Sequence, residues 1–71
     1  MRSCVIGGGG FIGRYLCEAL AASGRDVLVL GRKPNIKFID RRIQYQAVDA
    51  ADMNVLRPLL ATCDEVVDMA Y

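Results

Sequence analysis

The sequence predicts an α/β fold built on a parallel sheet, and three observations predict it. Short, continuous apolar runs alternate with stretches of helical period; four consecutive glycines stand at the first strand-to-helix junction; and the elements read strand, helix, strand, loop, strand, helix, strand. Strands joined by crossovers lie parallel, with right-handed connections. The expected sheet has about four strands in the order 3-2-1-4 and two main helices.

Each element has a local reason. Residues 3–6, Ser-Cys-Val-Ile, form an apolar run that ends at glycine, as a buried strand flanked by a turn does. From Phe11 the period changes: Phe11, Ile12, Tyr15, Leu16, Ala19 and Leu20 recur by threes and fours, predicting an amphipathic helix that lays this stripe on the sheet. Gly24 stops the helix in the position that favours a left-handed residue. Residues 27–30, Val-Leu-Val-Leu, are continuously aliphatic, which suits a central strand covered on both faces. Pro34 and Asn35 then break the chain, and residues 37–42 mix charge with Phe38 and Ile39 without a period, so they read as loop. Ile43, Tyr45 and Ala47 alternate with Gln44, Gln46 and Val48, a third strand. Asp52 caps a second helix carrying Val55, Leu56, Leu59 and Leu60 on one side, with Pro58 expected to bend or shorten it. Residues 66–70, Val-Val-Asp-Met-Ala, complete a fourth strand.

Composition bounds what such a unit can do. With 71 residues, 54% of them hydrophobic, there is material for one apolar core and no second domain. A formal net charge of +1 provides no global field for nucleic acid or an anionic membrane. The charge is nevertheless local: Arg32, Lys33, Lys37, Arg41 and Arg42 share one stretch, and Asp49, Asp52, Asp64, Glu65 and Asp68 follow it. Cys4, Cys17 and Cys63 are odd in number, lack C-x-x-C spacing and sit among apolar neighbours, which favours core packing in a reducing compartment over disulfides. With no secretory apolar region and no long apolar run, the expected location is the cytoplasm, without a membrane partner.

The glycine segment carries the chemistry. Gly7 to Gly13 satisfies Gly8-x-Gly10-x-x-Gly13 and Gly7-x-x-Gly10-x-x-Gly13 together, after a predicted strand and at the start of a predicted helix. In that context glycine lets a pyrophosphate approach main-chain N–H groups at the helix N-terminus, where a Cβ would hold the anion off, and Gly13 lets the helix approach the sheet. The plain alternative is a turn chosen for its φ angles. A Walker A loop fails on Arg14 and Tyr15, which stand where Lys and Ser or Thr are required. The fold class becomes a partial, Rossmann-like parallel sheet. After the second strand, where NAD binders place an acidic residue on the ribose, this sequence has Gly31, Arg32 and Lys33. A guanidinium and an ammonium suit a 2′-phosphate, which favours NADP with NAD as the alternative; both residues also suit a solvated turn.

These residues resemble the N-terminal part of the extended short-chain dehydrogenase/reductases, the NAD-dependent epimerase/dehydratase group. The likeness rests on residues 7–16, on Leu28-Val29-Leu30-Gly31-Arg32, on residues 48–52 and on residues 63–70, in that order. The resemblance implies that Phe11 and Ile12 offer backbone donors to the pyrophosphate, that Asp49 accepts from the adenine amino group, and that Ala70 lies beside the cofactor at the end of the fourth strand. Asp49 also suits a turn that ends a strand. Asp68 and Tyr71 depart from the family, which often has histidine and a small residue there. The family's acid/base pair, Tyr-x-x-x-Lys, is absent: Tyr15 is followed four positions on by Ala19, Tyr45 by Asp49, and Tyr71 by nothing. Histidine is absent too, so no catalytic residue and no metal ligand set is named.

The resemblance therefore implies that residues 1–71 are one NAD(P)-binding unit, the N-terminal fragment of a longer nucleotide-sugar epimerase, dehydratase or reductase. Its missing C-terminal part, or self-association, would cover the outer edge of the fourth strand. A stand-alone, non-catalytic NAD(P)-sensing module is the alternative. A nucleic-acid surface on residues 32–42 is disfavoured by balanced charge and few aromatics.

Overall fold

A computed structural model describes every residue except 8–10, 34–35, 50 and 70–71. Its elements are β1 (Arg2–Ile6), α1 (Phe11–Ala22), β2 (Asp26–Gly31), β3 (Ile43–Ala47), α2 (Met53–Leu60) and β4 (Glu65–Asp68). The four strands form one parallel sheet in the order β3-β2-β1-β4, as expected. β4 is shorter than expected: the strand closes at Asp68, Met69 follows it with its N–H on the Ile6 carbonyl at 2.8 Å, and Ala70 lies outside the described residues. Val48 likewise falls just beyond β3. The expected chain break at Pro34 and Asn35 also lies outside the described residues, while residues 37–42 are irregular, as expected of a loop.

Successive residues of a strand face opposite sides of a sheet, and the core is divided accordingly. On one side Val5, Val27, Val29 and Ile43 meet Cys17 and Ala21 of α1, with Phe38 from the β2–β3 segment packed against them. On the other, Cys4, Leu28 and Leu30 meet Leu56 of α2, with Leu59, Leu60 and Cys63 alongside. β2 is buried at four consecutive residues, Val27 to Leu30, which explains its unbroken aliphatic run.

α1 corrects one expectation. Of the stripe expected to face the sheet, the Phe11 side chain lies outside what is described, and Ile12, Tyr15 and Ala19 turn away from the core. The buried line runs instead through Gly13, Cys17 and Ala21, flanked by half-buried Leu16 and Leu20. Ile12 and Tyr15 are 72% and 74% exposed. Small residues spaced by four let the helix axis come close to the strands, and that gain in contact outweighs burying the two larger side chains. The helix ends as expected: Gly24 has φ +93°, its N–H bonds the Ala21 carbonyl at 3.0 Å, and the Arg25 N–H bonds the Leu20 carbonyl at 3.3 Å. That is a Schellman closure.

α2 begins at its expected cap. Asp52 is extended (φ −89°, ψ 90°) and its carboxylate accepts from the Asn54 N–H at 3.2 Å. Pro58 lies inside the helix, which ends two residues later after eight residues. At the amino ends of the strands the fully buried Ser3 hydroxyl donates to Glu65 at 2.5 Å, and Glu65 is ion-paired to Arg25. This cluster joins β1, β4 and the turn into β2. Cys4 and Cys17 are free and wholly buried, and Cys63 is free and half-buried. Burial pushes both inner thiols from 9.0 to about 11; the adjacent Cys63 thiol adds to the effect at Cys4.

Candidate functional site

The carboxyl ends of the strands are tied to one another by main-chain bonds. The Gly7 N–H bonds the Leu30 carbonyl at 2.7 Å, linking the end of β1 to β2, and the Val48 N–H bonds the Gly31 carbonyl at 2.7 Å, linking β3 to β2. β1 lies between β2 and β4, so the order of strands reverses there; such a switch point opens a crevice beyond the strand ends.

The glycine segment leaves β1 at this crevice. Gly7 has φ +79°, a left-handed conformation that glycine takes without penalty. α1 starts at Phe11, and the leading amides of a helix have no carbonyl partner within it. Ile12 follows with its side chain turned to solvent. No acidic side chain stands in the first turn of α1 to repel an anion. Gly13 is buried in α1, where it permits the close approach to the sheet. Gly10, with Gly8 and Gly9, lies outside the described residues, and so does Ala70. A pyrophosphate fits what is described: a left-handed glycine at the end of the inner strand β1, and the unpartnered leading amides of a helix that starts four residues on.

Arg32 and Lys33 are both exposed immediately beyond β2. Asp49 is exposed two residues beyond β3, and one of its carboxylate oxygens accepts from the Ala51 N–H at 2.9 Å, while its carbonyl accepts from the Asp52 N–H at 2.9 Å. It thus shapes the turn that leads to the cap of α2. Asp68 ends β4, exposed.

Two side chains unmarked by the sequence reading hold the segment that carries the basic pair. The Tyr45 hydroxyl on β3 donates to the Lys33 carbonyl at 2.5 Å. The Arg14 guanidinium in the first turn of α1 donates to the Lys37 carbonyl at 3.0 Å and lies 4.7 Å from the centre of the Phe38 ring. The available signal was a glycine ending an otherwise aliphatic strand, with an aromatic residue on the strand that follows. At the opposite, amino end of the strands Arg2, Asp26, Val27, Arg41, Arg42 and Gln44 line a cavity of about 260 Å³, remote from the glycine segment. There, hydrogen bonds from Arg42 hold Asp40 below the usual carboxylate range.

The sheet order, the two-sided core and the glycine turn at the switch point define a Rossmann-type unit. The sequence profile of the NAD dependent epimerase/dehydratase family matches residues 3–71, and the chain belongs to that family. Three solved structures are similar. UDP-glucose 4-epimerase from Thermotoga maritima, with UDP-glucose, matches with TM-score 0.82 and 23% identity over 99% of this chain and 24% of its own, a likeness of fold. UDP-N-acetylglucosamine 4-epimerase from Bacillus cereus matches with TM-score 0.78 and 28% identity over 99% and 23%. UDP-glucose 4-epimerase from Thermus thermophilus, in complex with NAD, matches with TM-score 0.79 and 30% identity over 99% and 24%. The chain spans about a quarter of the length of these structures. No functionally curated sequence matches it. Among the described residues, no helix is long and apolar enough to cross a membrane.

Proposed function

We propose that residues 1–71 bind the nicotinamide dinucleotide of a longer, cytoplasmic epimerase, dehydratase or reductase acting on a nucleotide-activated sugar. The observation that carries this reading is Gly7, held left-handed at the end of β1 and followed within four residues by the start of α1 at the switch point. The membership of the family and the NAD bound by the Thermus thermophilus relative support it. The amides of Phe11 and Ile12 receive the pyrophosphate, Gly10 allows its approach, Asp49 meets the adenine, and Ala70 lines the cofactor near the end of β4. When bound, the dinucleotide supplies a hydride acceptor and donor. The residues of this chain bind and orient it; the acid/base groups for the sugar belong outside these residues, because no Tyr-x-x-x-Lys pair and no histidine occurs among them.

The basic pair supports NADP over NAD. Arg32 and Lys33 are exposed and free of ion pairs among the described residues, so their charge is available to a 2′-phosphate. Calorimetric titration of the chain with NADPH and NADH tests this. NADPH is expected to bind more tightly, and Arg32→Ala with Lys33→Ala to weaken NADPH roughly 10- to 100-fold, as loss of charge-assisted hydrogen bonds does, with NADH little changed. Equal affinities in the unaltered chain overturn the NADP reading; binding of neither dinucleotide overturns the site.

A further inference from the structure

We infer that Tyr45 is a positioning residue for cofactor discrimination: its hydroxyl fixes the backbone from which Arg32 and Lys33 reach the ribose 2′-phosphate. The inference rests on the reading of the basic pair given above. The observation behind it is a three-residue device at the end of β2. The sheet holds the main chain only as far as Gly31, whose carbonyl receives the Val48 N–H. Beyond that point the next described tether is the Tyr45 hydroxyl on the Lys33 carbonyl, 2.5 Å away.

Gly31 makes the tether possible. A Cβ on residue 31 would stand 2.6 Å from the Tyr45 hydroxyl oxygen and 3.2 and 3.3 Å from Cε1 and Cζ of its ring, so any larger residue displaces the phenol. The backbone of Gly31 is not left-handed; its lack of a side chain serves space alone. The phenol therefore lies across the end of β2, and the carbonyl it holds belongs to the second of the two basic residues. Further along, the Lys37 carbonyl is held independently by Arg14, whose guanidinium stacks on Phe38. The described residues Lys33 and Lys37 are thus each anchored, the first from β3 and the second from α1.

The consequence for binding is preorganisation. Arg32 and Lys33 are long, exposed and flexible, and ordering their backbone only when a ligand arrives would weaken capture of a phosphate. A phenol that orders the Lys33 peptide beforehand removes that part of the cost, and only a ligand that engages the basic pair benefits. Tyr45 touches neither cofactor nor substrate; it acts through Arg32 and Lys33.

The test compares the unaltered chain with Tyr45→Phe, which keeps the ring and removes the donor, and with Gly31→Ala, which displaces the phenol from the other side. Each is titrated with NADPH, NADH, adenosine 2′,5′-bisphosphate and ADP, and its thermal unfolding is followed in parallel. The expected result for Tyr45→Phe is a roughly tenfold loss of affinity for the two ligands bearing a 2′-phosphate and unchanged affinity for the other two. Gly31→Ala should reproduce that selective loss, and the double variant should lose no more than either, since both remove one interaction. A Tyr45→Phe chain that keeps the NADPH-to-NADH ratio of the unaltered chain overturns the positioning role while leaving the basic pair intact. A uniform loss for all four ligands in step with lowered stability assigns Tyr45 to folding alone and also overturns it. An unaltered chain without preference for the 2′-phosphate, or binding none of the four, overturns the NADP reading and this inference together.

Discussion

At the scale of single residues, Gly24 and Gly31 are required for unrelated reasons. A Cβ on Gly24 meets nothing within 4 Å, so the constraint there is its φ of +93°. Gly31 has an ordinary φ and an obstructing phenol. Gly24→Ala should therefore cost about 1–2 kcal/mol from left-handed strain, and Gly31→Ala about 1–3 kcal/mol from overpacking, in urea denaturation. Only the second penalty should fall when Tyr45 is also changed to Phe. The thiols provide another residue-level test. Cys4 and Cys17 are wholly buried with thiols raised to about 11, so in the native chain Cys63 should react first with a thiol reagent and the other two only on unfolding. The sign of the linkage follows. In the folded state these thiols keep their protons up to about 11, whereas in the unfolded chain they lose them above about 9.0. Their contribution is fully present below pH 9 and is lost as the pH rises toward 11, by roughly 2–3 kcal/mol per thiol. A stability profile that stays flat over that window would contradict their burial.

At the scale of elements, the helices show what local chemistry settles and what packing decides. Asp52 stands at the start of α2 with its carboxylate on the Asn54 N–H, so the cap was readable from residue type and position. Asp52→Ala should cost about 1 kcal/mol, measured as a shift of the denaturation midpoint at unchanged slope. The rotation of α1 was not readable in the same way. Ile12 and Tyr15 fit an apolar stripe by spacing, yet Gly13, Cys17 and Ala21 face the strands. Period identifies a helix; the depth to which its axis can sink toward a sheet selects the face. β4 closed at Asp68 for a comparable reason, since its pairing with β1 extends only to Ile6, the last residue of that strand.

At the scale of the whole molecule, the described residues form a parallel sheet of four strands with one helix on each face, which leaves sheet surface uncovered. β4 is an outer strand, and its Val66 is 46% exposed on the face that carries α2. Parallel sheets are ordinarily covered on both faces, and an open strand edge invites pairing. The isolated chain is therefore expected to associate with increasing concentration, as sedimentation equilibrium would report. A well-behaved monomer with cooperative unfolding would remove the physical support for a missing covering part and favour a self-sufficient binding module.

The sequence by itself determined the order of elements, the glycine that ends β1, the Gly24 and Asp52 helix ends, and the aliphatic character of β2, because each of these depends on neighbours within a few positions along the chain. Tertiary structure alone decided which face of α1 is buried, where Asp49 directs a carboxylate oxygen, and that a tyrosine on β3 reaches across Gly31 to a carbonyl beyond β2. Those outcomes depend on the distance between elements and on the space a missing Cβ leaves, and neither quantity is encoded in the pattern of any one segment.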